Sequence, residues 1–205
     1  TGWAITSYDI PYIVNRISKI LGFEVAKTLS TWNIIRPKTV QSKKWTIKTF
    51  DIYGLDVLDY MLLYEKYVGS NLENNKLDTV ANHELGTKKL DYSEYGTLHK
   101  LYLGDYQKFI AYNFVDVELV NQLDDKLKLI DLVATMAYEA KINFSDVQYQ
   151  VRIWENIFYA NLIKKNVVFP AKETNTKDSK YRGAYVKPSQ TGFFDWVVSY
   201  DVNSL

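Results

Sequence analysis

Thr1-Gly2-Trp3-Ala4-Ile5-Thr6-Ser7-Tyr8-Asp9-Ile10-Pro11-Tyr12 decides how this chain is read, because an aspartate stands there just ahead of a proline and a helical repeat. Ile13, Ile17 and Ile20 recur at helical spacing until Gly22, where the pattern stops. An aspartate at such a start is the expected N-cap, satisfying free backbone N–H groups and the helix dipole. Capping leaves room for a second role. A helix-starting aspartate at the end of a strand also projects into the crevice where α/β sheets place their ligands.

Outward from that helix, a shorter one is expected from Glu24 to Leu29. Ile34 to Val40 and Lys44 to Ile52 then read as a hairpin turning at Gln41 to Lys43. Trp45 and Ile47 alternate in one phase and Phe50 and Ile52 in the other, so a bulge is expected near Thr49. Val57, Leu58, Met61, Leu62 and Tyr64 give a second amphipathic helix, and Asn71 to Asn75 is a polar break before another from about Leu77 to Leu85. Tyr102 to Lys141 holds no proline and only Gly104, with Ile110, Phe114, Val117, Val120, Leu127 and Leu132 near helical spacing, which predicts one or two long helices. Phe144 to Asn166 reads as an aromatic-rich helix. Pro170 to Lys180 is a polar linker and domain boundary, and 181–188 and 196–202 read as two strands joined by the turn Ser189 to Gly192. No internal repeat is present.

Composition narrows the chemistry. With 47% hydrophobic and 15% aromatic residues, 205 residues can bury a real core. Zero cysteines exclude disulfides and thiolate metal sites, and His83 and His99 alone cannot make a zinc centre. An oxygen-ligand metal site remains open. No apolar run approaches the roughly 20 residues that cross a bilayer, so a protein without a membrane partner is expected, in the cytoplasm. A formal charge of +1 gives no whole-molecule basic field, so any DNA contact must be local. Lys38, Lys43, Lys44 and Lys48 surround the hairpin, and Lys177, Lys180, Arg182 and Lys187 mark the late polar segment. Ordinary solvated lysines account for most of them.

Tyr112 and Asp116, four apart on a long helix, face the same way. The phenol can hydrogen-bond a water while the carboxylate holds a metal, an arrangement suited to metal-assisted phosphodiester hydrolysis. Such a pair also arises by chance. Asp116-Val117-Glu118 is a decoy, since residues two apart on a helix point to different faces, and Glu118 is expected to be solvated. Asp201 falls on a strand opposite the Trp196, Val198, Tyr200 and Val202 face, where sequence alone favours a turn former.

In order, these segments resemble the family B DNA polymerases of the large tailed-phage replicative type. Thr1 to Ile17 resembles the second exonuclease motif, and Val57-Leu58-Asp59-Tyr60 follows the hairpin as in that family. Lys89-Leu90-Asp91-Tyr92 is similar to a Lys-x-x-Tyr element near the exonuclease site, and Tyr112 to Asp116 to the third exonuclease motif. Tyr181-Arg182-Gly183-Ala184 is similar to the Tyr-x-Gly-Gly/Ala element between the exonuclease and polymerase domains. Asp201-Val202-Asn203-Ser204-Leu205 resembles the start of polymerase motif A.

The resemblance implies an incomplete ribonuclease-H-like 3′-5′ exonuclease domain over 1–141, with a protruding hairpin at about 33–53, then helix and linker over 142–180 and first palm strands over 181–205. The fold is α/β, mostly helical by residue count. Asp9, Tyr112, Asp116 and Lys89 are implied as catalytic, with Asp9 and Asp116 holding two Mg²⁺ or Mn²⁺ ions, Tyr112 orienting the attacking water and Lys89 near the scissile phosphate. Asp201 would be a polymerase-site metal ligand, with the backbone of Val202, Asn203, Ser204 and Leu205 near the incoming nucleotide. Trp3, Tyr8, Tyr181, Arg182 and Gly183 would contact DNA. Implied partners are primer-template DNA, single-stranded 3′ ends, dNTPs and a sliding clamp, inside an infected host cell.

Two departures qualify this. Ala4 stands where the motif usually has Asn, which removes a polar contact to the single-stranded end, and Tyr8 replaces Phe while keeping an aromatic face. Both ends fall in mid-motif, so the chain is expected to be part of a longer protein and inactive alone, lacking the upstream Asp-x-Glu carboxylates and the second palm aspartate. The rival readings are a non-catalytic DNA-binding or clamp-contacting module, and a generic helical interaction domain.

Overall fold

The computed structural model describes residues 1–41, 46–69, 72–169, 183, 185 and 187–198. The first helix, α1 (Asp9–Leu21), lays Ile10, Val14 and Ile17 onto one side, where they meet Ala26, Ile35, Phe50 and Ile52 in a small apolar cluster. Gly22, at φ 96°, ends it and returns its N–H to Ser18. Asp9 is not the N-cap. The helix begins on Asp9 itself, and no side chain caps it. The Ile10 and Tyr12 N–H groups are taken by the Ile5 and Tyr8 carbonyls, because the chain already coils from Ala4 to Tyr8. That coil replaces the cap and leaves the Asp9 carboxylate on the first turn, where the helix dipole favours it.

The segment ahead of α1 is held by Asp59, the N-cap of α3 (Tyr60–Tyr67). Its carboxylate accepts from Met61 N at 3.2 Å and, 55 and 53 residues away in sequence, from Ala4 N and Thr6 N at 3.0 Å each. Tyr60 N donates to the Gly2 carbonyl at 2.9 Å, completing a parallel bridge between Gly2 and Asp59. Gly2 fits this approach because a Cβ would lie 2.6 Å from Ile5 Cγ2. Ala4 adopts φ 57°, a left-handed conformation that costs an L-residue about 1–2 kcal/mol. Asparagine tolerates that region better. Ala4→Asn is therefore expected to raise stability by about 0.5–1 kcal/mol, read as a higher urea midpoint; a midpoint that does not rise removes the strain argument.

After α2 (Phe23–Lys27), the chain enters the antiparallel hairpin of β1 (Ile35–Gln41) and β2 (Thr46–Ile52). Pairing runs without interruption from Ile35 opposite Ile52 to Gln41 opposite Thr46, so the expected bulge at Thr49 is absent. Thr49 pairs with Lys38 and is buried. The phase change in the sequence has another cause: both faces of β2 are partly covered. Phe50 and Ile52 face α1, whereas Thr49 and Asp51 face a cleft that reaches Asp146 and Tyr149. The turn at residues 42–45, with Lys43, Lys44 and Trp45, lies outside the described residues.

The larger core is helical. It gathers α3, α4 (Leu77–Leu85), α6 (Tyr106–Leu127) and α7 (Leu129–Ala140), with Leu63, Val80, Leu123, Val133 and Val147 fully buried. Polar straps close it: Tyr60 Oη donates to Asp124 at 3.2 Å and Tyr64 Oη to Glu84 at 2.8 Å. The expected stretch from 102 to 141 divides at Lys128, whose φ of 53° turns the chain between α6 and α7. A further short helix, α5 (Leu98–Gly104), packs on α6 and was not anticipated. The expected helix over 144–166 is a 3₁₀ turn, Phe144–Gln148, followed by α8 (Gln150–Lys164).

The chain divides into two compact units, Thr1–Phe169 and Pro170–Leu205. In the second, residues 183, 185 and 187–198 are described and include no strand, with Trp196 at φ 63°; much of the expected strands over 181–188 and 196–202 lies outside the described residues. Among the described residues, no helix is long and apolar enough to cross a membrane.

Candidate active site

α4 ends at Gly86, whose φ of 69° gives the left-handed turn that releases the chain toward α6. Asp78, on the first turn of α4, then accepts the backbone N–H of Lys89 at 2.9 Å. That anchor aims the Lys89 side chain at α6, which is itself started by the Asp105 cap on Lys108 N. Lys89 Nζ donates to Asp116 Oδ2 at 2.8 Å and to Tyr112 Oη at 3.3 Å, and it lies 5.4 Å from the centre of the Tyr112 ring. Tyr92 meets the same ring edge-on, with centroids 5.2 Å apart and planes at 89°. The structure thus brings Lys89, Tyr92, Tyr112 and Asp116 into one cluster.

Electrostatics keep the cluster polarised. Burial works against the Lys89 ammonium, but the hydrogen bond and charge of Asp116 outweigh it and hold the lysine above its ordinary range. Burial pushes the Tyr112 phenol up, with the Asp116 charge adding to it and Lys89 opposing. At neutral pH Tyr112 therefore keeps its proton while accepting from Lys89, so its O–H remains available to a third group. Asp116 Oδ1 is buried with no hydrogen-bond partner. A carboxylate oxygen in that position is costly unless a donor or a cation reaches it.

Asp116 fits a hard divalent cation in this respect, since Mg²⁺ takes one or two carboxylates together with waters and substrate phosphates. Among the described residues no three or more His, Asp or Glu side chains gather into a metal-binding group. Asp9 lies on α1, which packs on α2 and β2, while α6 packs on α4 and α5. No hydrogen bond or ion pair joins Asp9 to the Lys89 cluster among the described residues.

The remaining expected residues are distributed unevenly. Trp3 packs against the larger core, 6.3 Å from the rings of both Tyr60 and Tyr64, with Nε1 donating to the Asn75 carbonyl at 3.2 Å. It is partly buried there. Tyr8 is 68% exposed and stacks on Tyr12 with planes 5° apart, leaving an aromatic surface in solvent. Glu118 is exposed and accepts from Gln122. Gly183 is exposed. Tyr181, Arg182, Asp201, Val202, Asn203, Ser204 and Leu205 lie outside the described residues.

Sequence reasoning passed over Asp59 and Asp78 as positioning groups. An Asp ahead of Tyr60-Met61-Leu62-Leu63 is a readable cap signal, but its reach to residues 4 and 6 is not. Position 4 also gains a second meaning: its left-handed backbone is a conformational reason for the Asn usual there, separate from any contact to DNA.

No protein-family profile matches the chain. Individual relatives do. It is 35% identical, over all 205 residues, to the DNA-directed DNA polymerases of Enterobacteria phage T4 and Escherichia phage RB69, covering 22% of each. It is 28% identical over 209 aligned positions to the DNA polymerase catalytic subunit of Saimiriine herpesvirus 2, spanning 95% of this chain and 20% of that protein. The chain spans about a fifth of the length of these relatives. With the motifs in the same order, this likeness over the whole chain is consistent with a segment of a family B DNA polymerase.

Proposed function

We propose that this chain carries part of the 3′-to-5′ proofreading site of a replicative, template-directed DNA polymerase, in a ribonuclease-H-like domain that leads into the palm. One observation carries the reading: Lys89, Tyr112 and Asp116 meet, with a buried carboxylate oxygen left over. Asp116, with Asp9, would hold Mg²⁺ or Mn²⁺, and such ions supply charge stabilisation for attacking and leaving oxygens in phosphodiester hydrolysis. Tyr112 donates its hydroxyl proton as a hydrogen bond and thereby orients a water. Lys89 offers a cationic donor to a phosphate oxygen. Tyr8 stacks against an unpaired base, and the hairpin of β1 and β2 parts primer from template. Asp201 and the backbone from Val202 to Leu205 belong to the polymerase site, with dNTPs and primer-template DNA as substrates and a sliding clamp as partner. The chain by itself trims no DNA, since two carboxylates alone hold hard ions weakly.

The test uses the full-length polymerase that contains this chain and a primer with a single-stranded 3′ end. Metal-dependent trimming that is lost on Asp9→Ala plus Asp116→Ala supports the reading. One rival is a non-catalytic DNA-binding module, whose argument is Ala4 at the position where the motif usually has Asn. It predicts DNA binding indifferent to Mg²⁺ and to both substitutions, and that result would displace the nuclease.

A further inference from the structure

Asp116 has two oxygens in contrasting states. Oδ2 is taken by an ammonium at 2.8 Å, and Oδ1 is buried with no partner. Lys89 is placed there by contacts that do not depend on Asp116: its backbone N–H is fixed by Asp78, and its ammonium lies over the Tyr112 ring and donates to Tyr112 Oη. Asp116 is the ammonium's one ion-pair partner among the described residues. A divalent cation binds a carboxylate oxygen at about 2.0–2.6 Å. A cation on both oxygens of Asp116 and the Lys89 ammonium on Oδ2 would place like charges within a few ångströms in a site partly shielded from water, where their repulsion is strong.

We propose that Lys89 is a tethered competitor for the metal position of Asp116: its ammonium stands on Oδ2 and must leave before that carboxylate can grip a divalent cation with both oxygens. The lysine thereby sets the cation concentration at which Asp116 is loaded. Loading releases an ammonium that stays beside the site on its Asp78 anchor, ready for an anionic group. The inference rests on the reading of Asp116 as a metal ligand. It goes beyond that reading by giving Lys89 a role before any substrate arrives.

Titration of the whole chain with Tb³⁺, excited through its tyrosines, and with Mn²⁺ by water-proton relaxation tests it without reference to catalysis. Lys89→Met is expected to tighten cation binding by about 5-fold to 150-fold, the usual range for coupled sites. Lys89→Arg, which keeps the charge, is expected to leave it unchanged. The gain is expected to vanish in Lys89→Met combined with Asp116→Asn. Lys89→Gln serves as a second neutral variant should Lys89→Met fail to give the parent's circular dichroism and melting curve. Unchanged or weaker binding in a folded neutral variant, with Asp116→Asn still weakening it, overturns the competition and leaves Asp116 a ligand. Binding that Asp116→Asn does not alter overturns both.

Discussion

Asp59→Ala is expected to destabilise the protein by about 3 kcal/mol, the largest loss from any single side-chain truncation outside the apolar core. Asp59 is 1% exposed, and its two oxygens serve three backbone N–H groups in two distant parts of the chain. Alanine would leave all three donors without a partner, remove the cap of α3 and cut one of the ties that hold residues 1–8. Detachment of that segment limits the loss, since its N–H groups can then find water. Urea unfolding measures the energy, and hydrogen exchange should show Ala4, Thr6 and Met61 losing protection together. Unchanged exchange at Ala4 and Thr6 would mean that the long-range tie contributes nothing.

The same carboxyl gives a signed pH effect. Burial pushes Asp59 above its ordinary value of 3.8, with the hydrogen bonds from Thr6, Ala4 and Met61 pulling it back only in part. The folded state therefore holds its proton more tightly than the unfolded chain. Stability contributed by this group falls as pH rises from the unfolded value through the raised folded one. Asp59→Asn should remove that slope, and the measurement is the difference in unfolding free energy between the two proteins across mildly acidic pH.

Asp116→Asn is expected to reduce 3′-end trimming by the full-length polymerase about 10³-fold while changing the stability of this chain by less than about 1 kcal/mol. The two effects separate because the site is electrostatically unfinished. Asn keeps the shape and one acceptor for Lys89, and Oδ1 gains nothing from its present surroundings that an amide would lose. What disappears is the negative charge a hard cation requires. A large stability loss with trimming retained would make Asp116 a structural residue and Lys89 its salt-bridge partner.

Much of the local structure was legible because it depends on spacing. Leu77–Leu85 shows its helix in its periodicity, and the four-residue interval between Tyr112 and Asp116 places them on one side of α6 wherever α6 packs. The hairpin was legible from its β-rich runs, but its bulge was not real, since a change of hydrophobic phase can equally mean that burial passes from one face of a strand to the other. Asp9 looked like a cap because Asp before Ile10-Pro11 matches one, yet the preceding coil from Ala4 to Tyr8 had already supplied those carbonyls. Trp3, grouped with the motif residues expected at DNA, also packs its indole against Tyr60 and Tyr64 at the edge of the larger core, a contact that spacing along the chain does not reveal.

By itself, the sequence settled the helical periodicities, the hairpin, the pairing of Tyr112 with Asp116 and the family likeness, all of which follow from residues near one another or from motifs in order. Tertiary structure alone decided that Lys89 reaches Asp116, that Asp59 binds residues 4 and 6, and that one oxygen of Asp116 is buried without a partner. The reason is physical. Spacing along a helix or strand fixes only which way a side chain leaves its own element, whereas partners 27 or 55 residues apart meet only after separate elements have packed and excluded water between them.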